Sequence, residues 1–190
     1  MFKIVEFSHL LISEYIKNSN LDFIRALDAT CGNGFDTLFI ANELKDKGSV
    51  DAYDIQLPAI NHTKELLTSN NISNVTLIHN SHEFIDPTKY DLAVFNLGYL
   101  PTYDKTITTK KETTISTLSL LVNEIKNNPN LVIIVSIYPG HEEGKQESIA
   151  IDEYVYNLPS KEYLVTKFLN YNRPSSPYII TISKNKNVRN

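Results

Sequence analysis

Apolar runs with strand character alternate with helical apolar patterns along most of the chain. Near-continuous apolar segments, typical of strands covered on both faces of a sheet, occupy residues 23–28, 49–54, 75–79, 90–96 and 131–138. Apolar positions at helical spacing occur within residues 35–44, 58–69, 113–126 and 145–157. Strands that alternate with helices in this way predict a parallel sheet with helices on both faces.

The last two apolar runs, residues 163–170 and 178–183, indicate a different connection. The loop of residues 172–177 is too short for a crossover helix, so these two strands must run antiparallel. The predicted fold class is therefore α/β, a Rossmann-like, seven-stranded and mostly parallel sheet with an antiparallel last strand. This layout is typical of class I methyltransferases, whereas a plain dinucleotide-binding fold more often ends on another parallel unit.

The ends of the chain carry simpler patterns. Residues 6–17 predict an amphipathic helix, and we expect the segment 1–20 to pack on a single domain of residues 1–190. The positions expected to share its buried face are Phe7, Leu10, Leu11 and Tyr15. A lone histidine in a helix is more often structural than catalytic, so His9 is interpreted as structural although it can point toward a crevice. Residues 184–190 are expected to form a frayed tail.

Composition narrows the class of protein. The chain is 42% apolar and 21% charged, as in soluble globular proteins, with no apolar run long enough for a membrane span and no signal-peptide pattern. The single cysteine, Cys31, excludes an internal disulfide and a Cys-based zinc site and favours a cytoplasmic location. His79, His82 and Glu83 lack further ligands at a recognisable spacing, so we expect no metal.

The net charge of −4 argues against a dedicated nucleic-acid scaffold, but the charges are unevenly distributed. Residues 161–190 carry +5, which leaves −9 for the rest of the chain. Lys105, Lys110 and Lys111 form a second basic cluster. Either these clusters are a solvated face, or they form a phosphate-contacting rim around an active site.

The turn after the first strand predicts a nucleotide-type site. The strand ends on Asp28, and the chain passes through Gly32 and Gly34 into the next helix. Glycines let a backbone approach a ligand closely, and a helix N-terminus presents unpaired N–H groups. Asp54 ends the second strand twenty residues after Gly34, where a carboxylate can hold a ribose diol. The alternative is an ordinary β-α-β unit whose glycines only make a tight turn.

The amino-acid sequence of this turn favours one cofactor. Thr37 stands where the dinucleotide pattern Gly-x-Gly-x-x-Gly has its third glycine. The turn is closer to the Asp/Glu-x-Gly-x-Gly-x-Gly of class I methyltransferases that use S-adenosylmethionine (SAM), with Thr30 in place of the first glycine. The residues predicted to bind SAM are Asp28, Thr30, Cys31, Gly32, Asn33, Gly34, Asp36, Thr37, Asp54, Gln56, Ser81, His82 and Asn96.

The residues at the end of the fourth strand indicate which kind of group receives the methyl group. Asn96-Leu-Gly-Tyr-Leu-Pro101 resembles the Asn/Asp-Pro-Pro-Tyr motif of methyltransferases that act on amino nitrogens, with Leu97 and Gly98 in place of the prolines. The oxygen of Asn96 and the next backbone carbonyl can accept the hydrogens of an amine and aim its lone pair at the methyl group. The ring of Tyr99 can pack beside the developing cation. The alternative is a strand that simply ends in an Asn/Gly turn.

Five motifs together resemble one bacterial family. They are Asp28-Ala-Thr-Cys-Gly-Asn-Gly-Phe-Asp-Thr-Leu38, Asp54-Ile-Gln56, Asn96-Leu-Gly-Tyr-Leu-Pro101, Asp104-Lys-x-Ile-Thr-Thr109 and Tyr138-Pro-Gly-His-x-Glu-Gly144. The family was long labelled "putative rRNA methylase", and members are associated with tRNA 5-(aminomethyl)-2-thiouridine methyltransferase activity. The chain departs from it at Cys31, where many relatives are expected to carry Met, and at Thr102-Tyr103, where small residues are usual.

The resemblance implies methyl transfer from SAM to the 5-aminomethyl group of a wobble (2-thio)uridine in the anticodon loop of tRNA, which gives 5-methylaminomethyl uridine. It implies that Asn96 orients the amine beside Tyr99, with Asp104 and His141 as candidate proton acceptors. Two alternatives stay open: SAM-dependent methylation of rRNA or of a small-molecule amine, and a catalytically silent SAM- or NAD-binding module. A homodimer is compatible with the sequence.

Overall fold

A computed structural model describes residues 3–98, 110–173 and 175–186. Its strands are β1 (Ile24–Asp28), β2 (Gly48–Asp54), β3 (Val75–His79), β4 (Leu92–Asn96), β5 (Val132–Ile137), β6 (Tyr163–Phe168) and β7 (Tyr178–Lys184). They form one seven-stranded sheet in the order β3-β2-β1-β4-β5-β7-β6. Strand β7 runs in the opposite direction to the other strands of this sheet and pairs antiparallel with β5 and β6. The predicted fold class is confirmed.

The helices in the described residues are α1 (Ile4–Asn18), α2 (Phe35–Leu44), α3 (Leu57–Ser69), α4 (Lys111–Glu124) and α5 (Glu142–Tyr156). Each predicted helix is present, although α5 begins three residues before the predicted start at residue 145. The reason is a cap, since the His141 ring accepts the backbone N–H of Gly144. Histidine is not among the usual N-cap residues, so the apolar pattern alone placed this start too late.

Both faces of the sheet are covered. Along β4, Ala93 and Phe95 belong to one buried cluster, which contains residues of α4 and α5. Leu92 and Val94 belong to the other, which contains residues of α1 and α2. Because successive side chains of a strand point to opposite faces, this alternation places helices on both sides, as predicted.

Helix α1 packs with most of the predicted face, and Leu10 is the exception. Leu10 is 46% exposed, whereas Ile12 is fully buried beside the buried Ser8. Ser8 and Ile12 lie one turn apart and so share the buried face of the helix. The prediction for Leu10 was wrong, while Phe7, Leu11 and Tyr15 do pack against this cluster. Tyr15 also donates its hydroxyl proton to the backbone carbonyl of Asp91, at 2.9 Å.

The last strand reaches the residue at which the frayed tail was predicted to begin. Lys184 still belongs to β7 and pairs with Tyr163. The backbone N–H of Asn185 then donates to the carbonyl of Glu162, at 2.9 Å. These sheet-edge hydrogen bonds extend the strand beyond the end of its apolar run, and residues 187–190 lie outside the described residues.

The described residues contain neither a membrane-spanning helix nor a cluster of metal ligands. Across residues 3–98, 110–173 and 175–186, no helix has both the length and the apolar character needed to cross a bilayer. The same residues contain no group of three or more His, Cys, Asp or Glu side chains arranged to hold a metal ion.

Candidate active site

A cleft of about 670 Å³ opens at the carboxyl ends of β1, β2 and β4. Its walls come from the turn after β1, the ends of β2 and β4, the segment after β3, and residues next to the first turns of α1, α4 and α5. Crevices at this edge of an open α/β sheet are where such folds bind ligands. The volume lies in the range of small-molecule and cofactor sites.

The turn after β1 is shaped by two glycines with left-handed backbone. Gly32 has φ of 54° and Gly34 has φ of 79°. A Cβ on Gly34 would lie 2.6 Å from the side chain of Thr63, so α3 also requires a glycine there. Gly32 lines the cleft, whereas Gly34 does not. The second glycine therefore serves packing, and the first one gives the turn its open face.

Asp54 joins the ends of β1 and β2. One carboxylate oxygen accepts the backbone N–H of Gly32 and the other accepts that of Gln56, each at 2.8 Å. Burial raises the pKa of Asp54, and these two hydrogen bonds oppose that shift. A carboxylate offers about four acceptor positions. Two protein bonds therefore leave this cleft residue able to accept hydrogen bonds from a ligand.

Asp28 has a structural position behind the turn. It is only 1% exposed and does not line the cleft. Its carboxylate accepts the Thr37 hydroxyl at 2.6 Å and the backbone N–H of Thr30 at 3.1 Å. Burial, followed by the charge of Asp36, raises the pKa of Asp28 to about 7. Thr37 is fully buried and also lies off the cleft, so Asp28 and Thr37 hold the turn from behind.

Thr30 joins the ends of β1 and β4. Its hydroxyl oxygen accepts the backbone N–H of Asn96, at 2.7 Å. Together with the bond from Gly32 to Asp54, this contact makes the ends of three strands converge on one cleft.

His82 contributes an acceptor that the protein does not use. The ring is 8% exposed, lines the cleft and donates from Nδ1 to the carbonyl of Ala29 at 3.0 Å. Burial lowers the pKa of His82, which favours the neutral ring. With the proton on Nδ1, the buried Nε2 is an acceptor, and it has no hydrogen-bond partner among the described residues. Because this nitrogen is itself buried, a ligand in the cleft could reach it only if the ring or its neighbours moved.

Cys31 lines the cleft but is not a reactive thiol. It is 4% exposed, and its thiol lies 3.3 Å from the hydroxyl of Thr63. Burial raises the pKa of the Cys31 thiol, which disfavours the nucleophilic thiolate.

Three side chains from distant parts of the chain meet at the end of β4. The amide Nδ2 of Asn96 donates to Asp36 Oδ2 at 2.7 Å. The other oxygen of Asp36 lies 2.7 Å from Nε2 of His9, in α1. His9 is absent from the predicted site residues, because a single histidine in an amphipathic helix gives no signal of its partner. Asp36, predicted to bind the cofactor, lines the cleft and accepts hydrogen bonds from two protein groups, one on each oxygen.

The remaining predicted catalytic residues have different positions. His141 lines the cleft, and its Nδ1 accepts the backbone N–H of Gly144 at 3.1 Å. Because that bond occupies the nitrogen that would accept a proton, this geometry supports a capping role for His141. Tyr99 and Asp104 lie outside the described residues.

Most of the predicted cofactor residues line the cleft, and three do not. Those on its walls are Thr30, Cys31, Gly32, Asn33, Asp36, Asp54, Gln56, Ser81, His82 and Asn96. Those that do not line it are Asp28, Gly34 and Thr37. Lining residues that the sequence did not predict include Val5, Phe35, Thr113 and Tyr138, whereas Lys110 comes from the second basic cluster. Most of them lie within a few residues of a predicted site residue or of a helix start, which is the only sequence signal that they carry.

The strand order, the glycine turn and the cleft at the ends of β1, β2 and β4 define the class as a class I SAM-dependent methyltransferase. Residues 50–184 match the model of the family described as "Putative rRNA methylase", and the chain belongs to that family. The resemblance seen in the five motifs is thereby confirmed.

Two crystal structures share this fold over almost their whole length. A "putative rRNA-methylase" from Clostridium thermocellum is 32% identical with a TM-score of 0.84, and the match covers 97% of this chain and 99% of that one. A "putative methyltransferase" from Streptococcus mutans, solved in complex with SAH, is 27% identical with a TM-score of 0.78 and the same two coverages, 97% and 99%. SAH, S-adenosylhomocysteine, is what SAM becomes after losing its methyl group.

A curated plant protein is also similar. The Arabidopsis thaliana "tRNA (mnm(5)s(2)U34)-methyltransferase, chloroplastic" is 31% identical over an alignment of 180 residues, and the match covers 87% of this chain. The chain spans 64% of the length of that relative.

Proposed function

We propose that this protein transfers a methyl group from SAM to the 5-aminomethyl group of a wobble (2-thio)uridine in tRNA, forming 5-methylaminomethyl uridine. The observation that carries the proposal is the convergence of three strand ends on one cleft. Asp54 and His82 lie on one wall, and Asn96 lies at the end of β4 with its amide nitrogen bonded to Asp36. The name of the chloroplast relative supports the choice of substrate.

The cleft fits SAM on three counts. Asp54 has acceptor positions left for the ribose hydroxyls after bonding to Gly32 and Gln56. The ring of His82 lies on the cleft wall, and a small turn of this ring would bring its unpartnered Nε2 to the adenine amino group. The open face at Gly32 lets the rest of the cofactor approach the backbone closely. When bound, SAM supplies an electrophilic methyl group on a sulfonium sulfur.

Asn96 positions the acceptor amine in this proposal. With Nδ2 given to Asp36, the oxygen of Asn96 is the acceptor that this side chain offers in the cleft. An oxygen that accepts a hydrogen of the amine turns its lone pair toward the methyl group, which is orientation catalysis. Tyr99 is the proposed aromatic partner of the amine, from the sequence motif alone.

The amine must also lose a proton before or during attack, because an alkyl ammonium has no lone pair. A desolvated cleft favours the neutral amine. Asp104 stays the proposed proton acceptor, again from the sequence alone. His141 is the weaker candidate, since its Nδ1 already accepts the N–H of Gly144.

RNA binding is supported by one part of the basic rim. Lys110 lines the cleft, where its ammonium can meet a phosphate of the anticodon loop. By contrast, no described residue between 161 and 186 lines the cleft. Lys167 in that segment pairs with Asp152 at 2.8 Å, which favours the structural interpretation of the basic C-terminal cluster. A wobble base lies in a single-stranded loop, so it can turn into the cleft without melting a duplex.

The test is a methylation assay with synthetic anticodon stem-loops. The purified protein is incubated with SAM and a stem-loop that carries 5-aminomethyl-2-thiouridine, and nucleosides are then analysed by mass spectrometry. We expect 5-methylaminomethyl-2-thiouridine, and no product on a stem-loop with plain 2-thiouridine. If the protein binds SAM but leaves the 5-aminomethyl group of this stem-loop unmethylated, the proposed substrate is wrong.

The family description, "Putative rRNA methylase", favours rRNA as the second candidate substrate. The same assay therefore includes ribosomal RNA and simple alkylamines. Methyl transfer to either of these, with none to the stem-loop, would support the alternative acceptors. Calorimetric binding of NAD in place of SAM would support a silent binding module instead.

A further inference from the structure

The amide of Asn96 is held by side chains that no sequence motif connects to it. Asp36 lies in the first turn of α2, sixty residues before Asn96, and accepts its Nδ2 proton at 2.7 Å. His9 lies in α1 and contacts the second oxygen of Asp36, also at 2.7 Å. Such short contacts are typical of hydrogen bonds to a charged acceptor.

This arrangement decides which end of the Asn96 amide can meet a substrate. The nitrogen and oxygen of an amide are assigned from their hydrogen bonds. A carboxylate can only accept, so the contact with Asp36 must come from the Asn96 nitrogen. The oxygen of Asn96 is then left for the cleft, which suits an amine that has hydrogens to donate.

His9 restricts Asp36 in turn. Its ring stacks on Phe39, with the ring centroids 3.8 Å apart and the planes 3° from parallel. The side chains of His9 and Asp36 are 24% and 15% exposed. Asp36 and Phe39 are three residues apart on α2 and therefore lie on one face of the helix. The His9 ring stacks on Phe39 and forms a hydrogen bond to Asp36.

We propose that Asp36 and His9 are positioning residues that fix the Asn96 amide with its oxygen available to the acceptor amine. This inference rests on the proposed function, and it assigns to Asp36 a role toward the acceptor in place of the cofactor contact that its position next to the glycine turn predicted. Neither residue touches the reacting atoms in this role. Their effect is on turnover through Asn96.

The first test is the isosteric Asp36→Asn variant. The new amide can donate as well as accept, so it permits the Asn96 amide to turn over and present its nitrogen to the amine. We expect kcat to fall by roughly 10-fold to 100-fold, with the Kd of SAM changed by less than about 3-fold. The Glu43→Gln variant, on the same helix and away from the cleft, is the matched control and should keep wild-type kcat.

The second test exchanges the two functional groups. Asn96→Asp alone places two carboxylates against each other, and we expect kcat to fall by about 100-fold or more. In the double variant Asp36→Asn/Asn96→Asp, the amide at position 36 can donate to the carboxylate at position 96 and still accept from His9. An acceptor again faces the amine, so kcat should rise by at least about 10-fold over Asn96→Asp alone.

The His9→Ala variant tests the outer member of the arrangement. Asp36 still accepts from Asn96 in this variant but loses one restraint, so we expect a smaller fall in kcat, about 3-fold to 10-fold. His62→Ala, an exposed histidine on α3, is its control.

A readout without catalysis separates the two proposals. In ¹⁵N NMR spectra of the SAH complex, one side-chain amide proton of Asn96 should be shifted downfield and exchange slowly, and Asp36→Asn should remove both properties. If the wild-type protein does not methylate the stem-loop, the proposed function fails, and the NMR comparison still decides the positioning role. Unchanged Asn96 amide signals in folded Asp36→Asn would overturn the inference. So would wild-type kcat in that variant, or a folded double variant no more active than Asn96→Asp.

Discussion

The two sides of the cleft are built from different kinds of hydrogen bond. The proposed cofactor side, called the cofactor side below, is defined by Gly32, Asp54 and His82, and its side chains bond to backbone groups. Asp54 accepts the N–H of Gly32 and His82 donates to the carbonyl of Ala29. These bonds fix the course of the turn and still leave acceptor positions on Asp54 and His82.

On the substrate side, which we define by His9, Asp36 and Asn96, side chains bond to one another. These three residues come from α1, from α2 and from the end of β4. The contrast shows that the cofactor side depends on local backbone geometry, whereas the substrate side depends on one chain of side-chain contacts. Substitutions on the two sides should therefore have separable effects on SAM binding and on turnover.

The largest expected effect is on the substrate side, in Asn96→Ala. Removing the amide leaves the amine without its orienting acceptor, and we expect kcat to fall by about 100-fold to 1000-fold. The backbone N–H of Asn96, which bonds to Thr30, is unaffected by this change. Calorimetry should therefore give a Kd for SAM within about 3-fold of wild type. Loss of SAM binding in Asn96→Ala would contradict the separate roles of the two sides of the cleft.

The next effect is on the cofactor side, in Asp54→Ala. Loss of charged hydrogen bonds should weaken SAM binding by about 1.5–3 kcal/mol, measured by calorimetry. Because Asp54 also holds Gly32, part of this loss comes from a looser turn. Turnover at saturating SAM should stay within a few-fold of wild type. Asp46→Ala, an exposed carboxylate away from the cleft, should change neither quantity.

Asp28 lies behind the cofactor side and gives a prediction about pH. Its pKa of about 7 in the folded protein exceeds that of an unfolded aspartate, about 4. The folded state therefore keeps a proton that the unfolded chain loses, so this contribution to stability is complete below about pH 4 and is lost as the pH rises through 7.

The Asp28→Asn variant removes that titration. Relative to wild type, it should gain stability between pH 5 and pH 8, by on the order of 2 kcal/mol in urea unfolding. If the free energies of unfolding of the two proteins change with pH in the same way, Asp28 is already ionised in the folded state at pH 5.

The smallest effect is expected for His82→Gln on the cofactor side. The change removes the buried Nε2 acceptor and keeps a polar side chain, so the Kd of SAM should rise by about 5-fold, a loss of about 1 kcal/mol. His62→Gln is the control on the surface of α3. An unchanged Kd in His82→Gln would mean that the orphaned acceptor does not meet the cofactor.

The fold was largely predictable because each strand of the sheet is a distinct apolar run. The polar residues that end these runs, Asp28, Asp54 and Asn96, all lie at the carboxyl edge of the sheet, as the parallel arrangement requires. Predictions failed where a tertiary contact overrides the local pattern. Leu10 is exposed because α1 turns Ile12 toward the sheet, and this depends on how the helix docks.

The sequence predicted which residues lie at the site, but it did not predict their hydrogen-bond partners. Asp36 was recognised from its place beside the glycine turn, yet its two hydrogen-bond partners are 27 and 60 residues away along the chain. No periodicity or motif spacing carries that information. The same holds for Asp28, which follows the methyltransferase pattern but is buried behind the turn by its bond to Thr37.

The most direct test of the account is a crystal structure of the SAH complex. It should show the ribose hydroxyls on Asp54, the adenine beside His82, and the sulfur close to the side chain of Asn96. A sulfur at the Asp54 end of the cleft, away from Asn96, would contradict the account, because no amine held by Asn96 could then reach the methyl group.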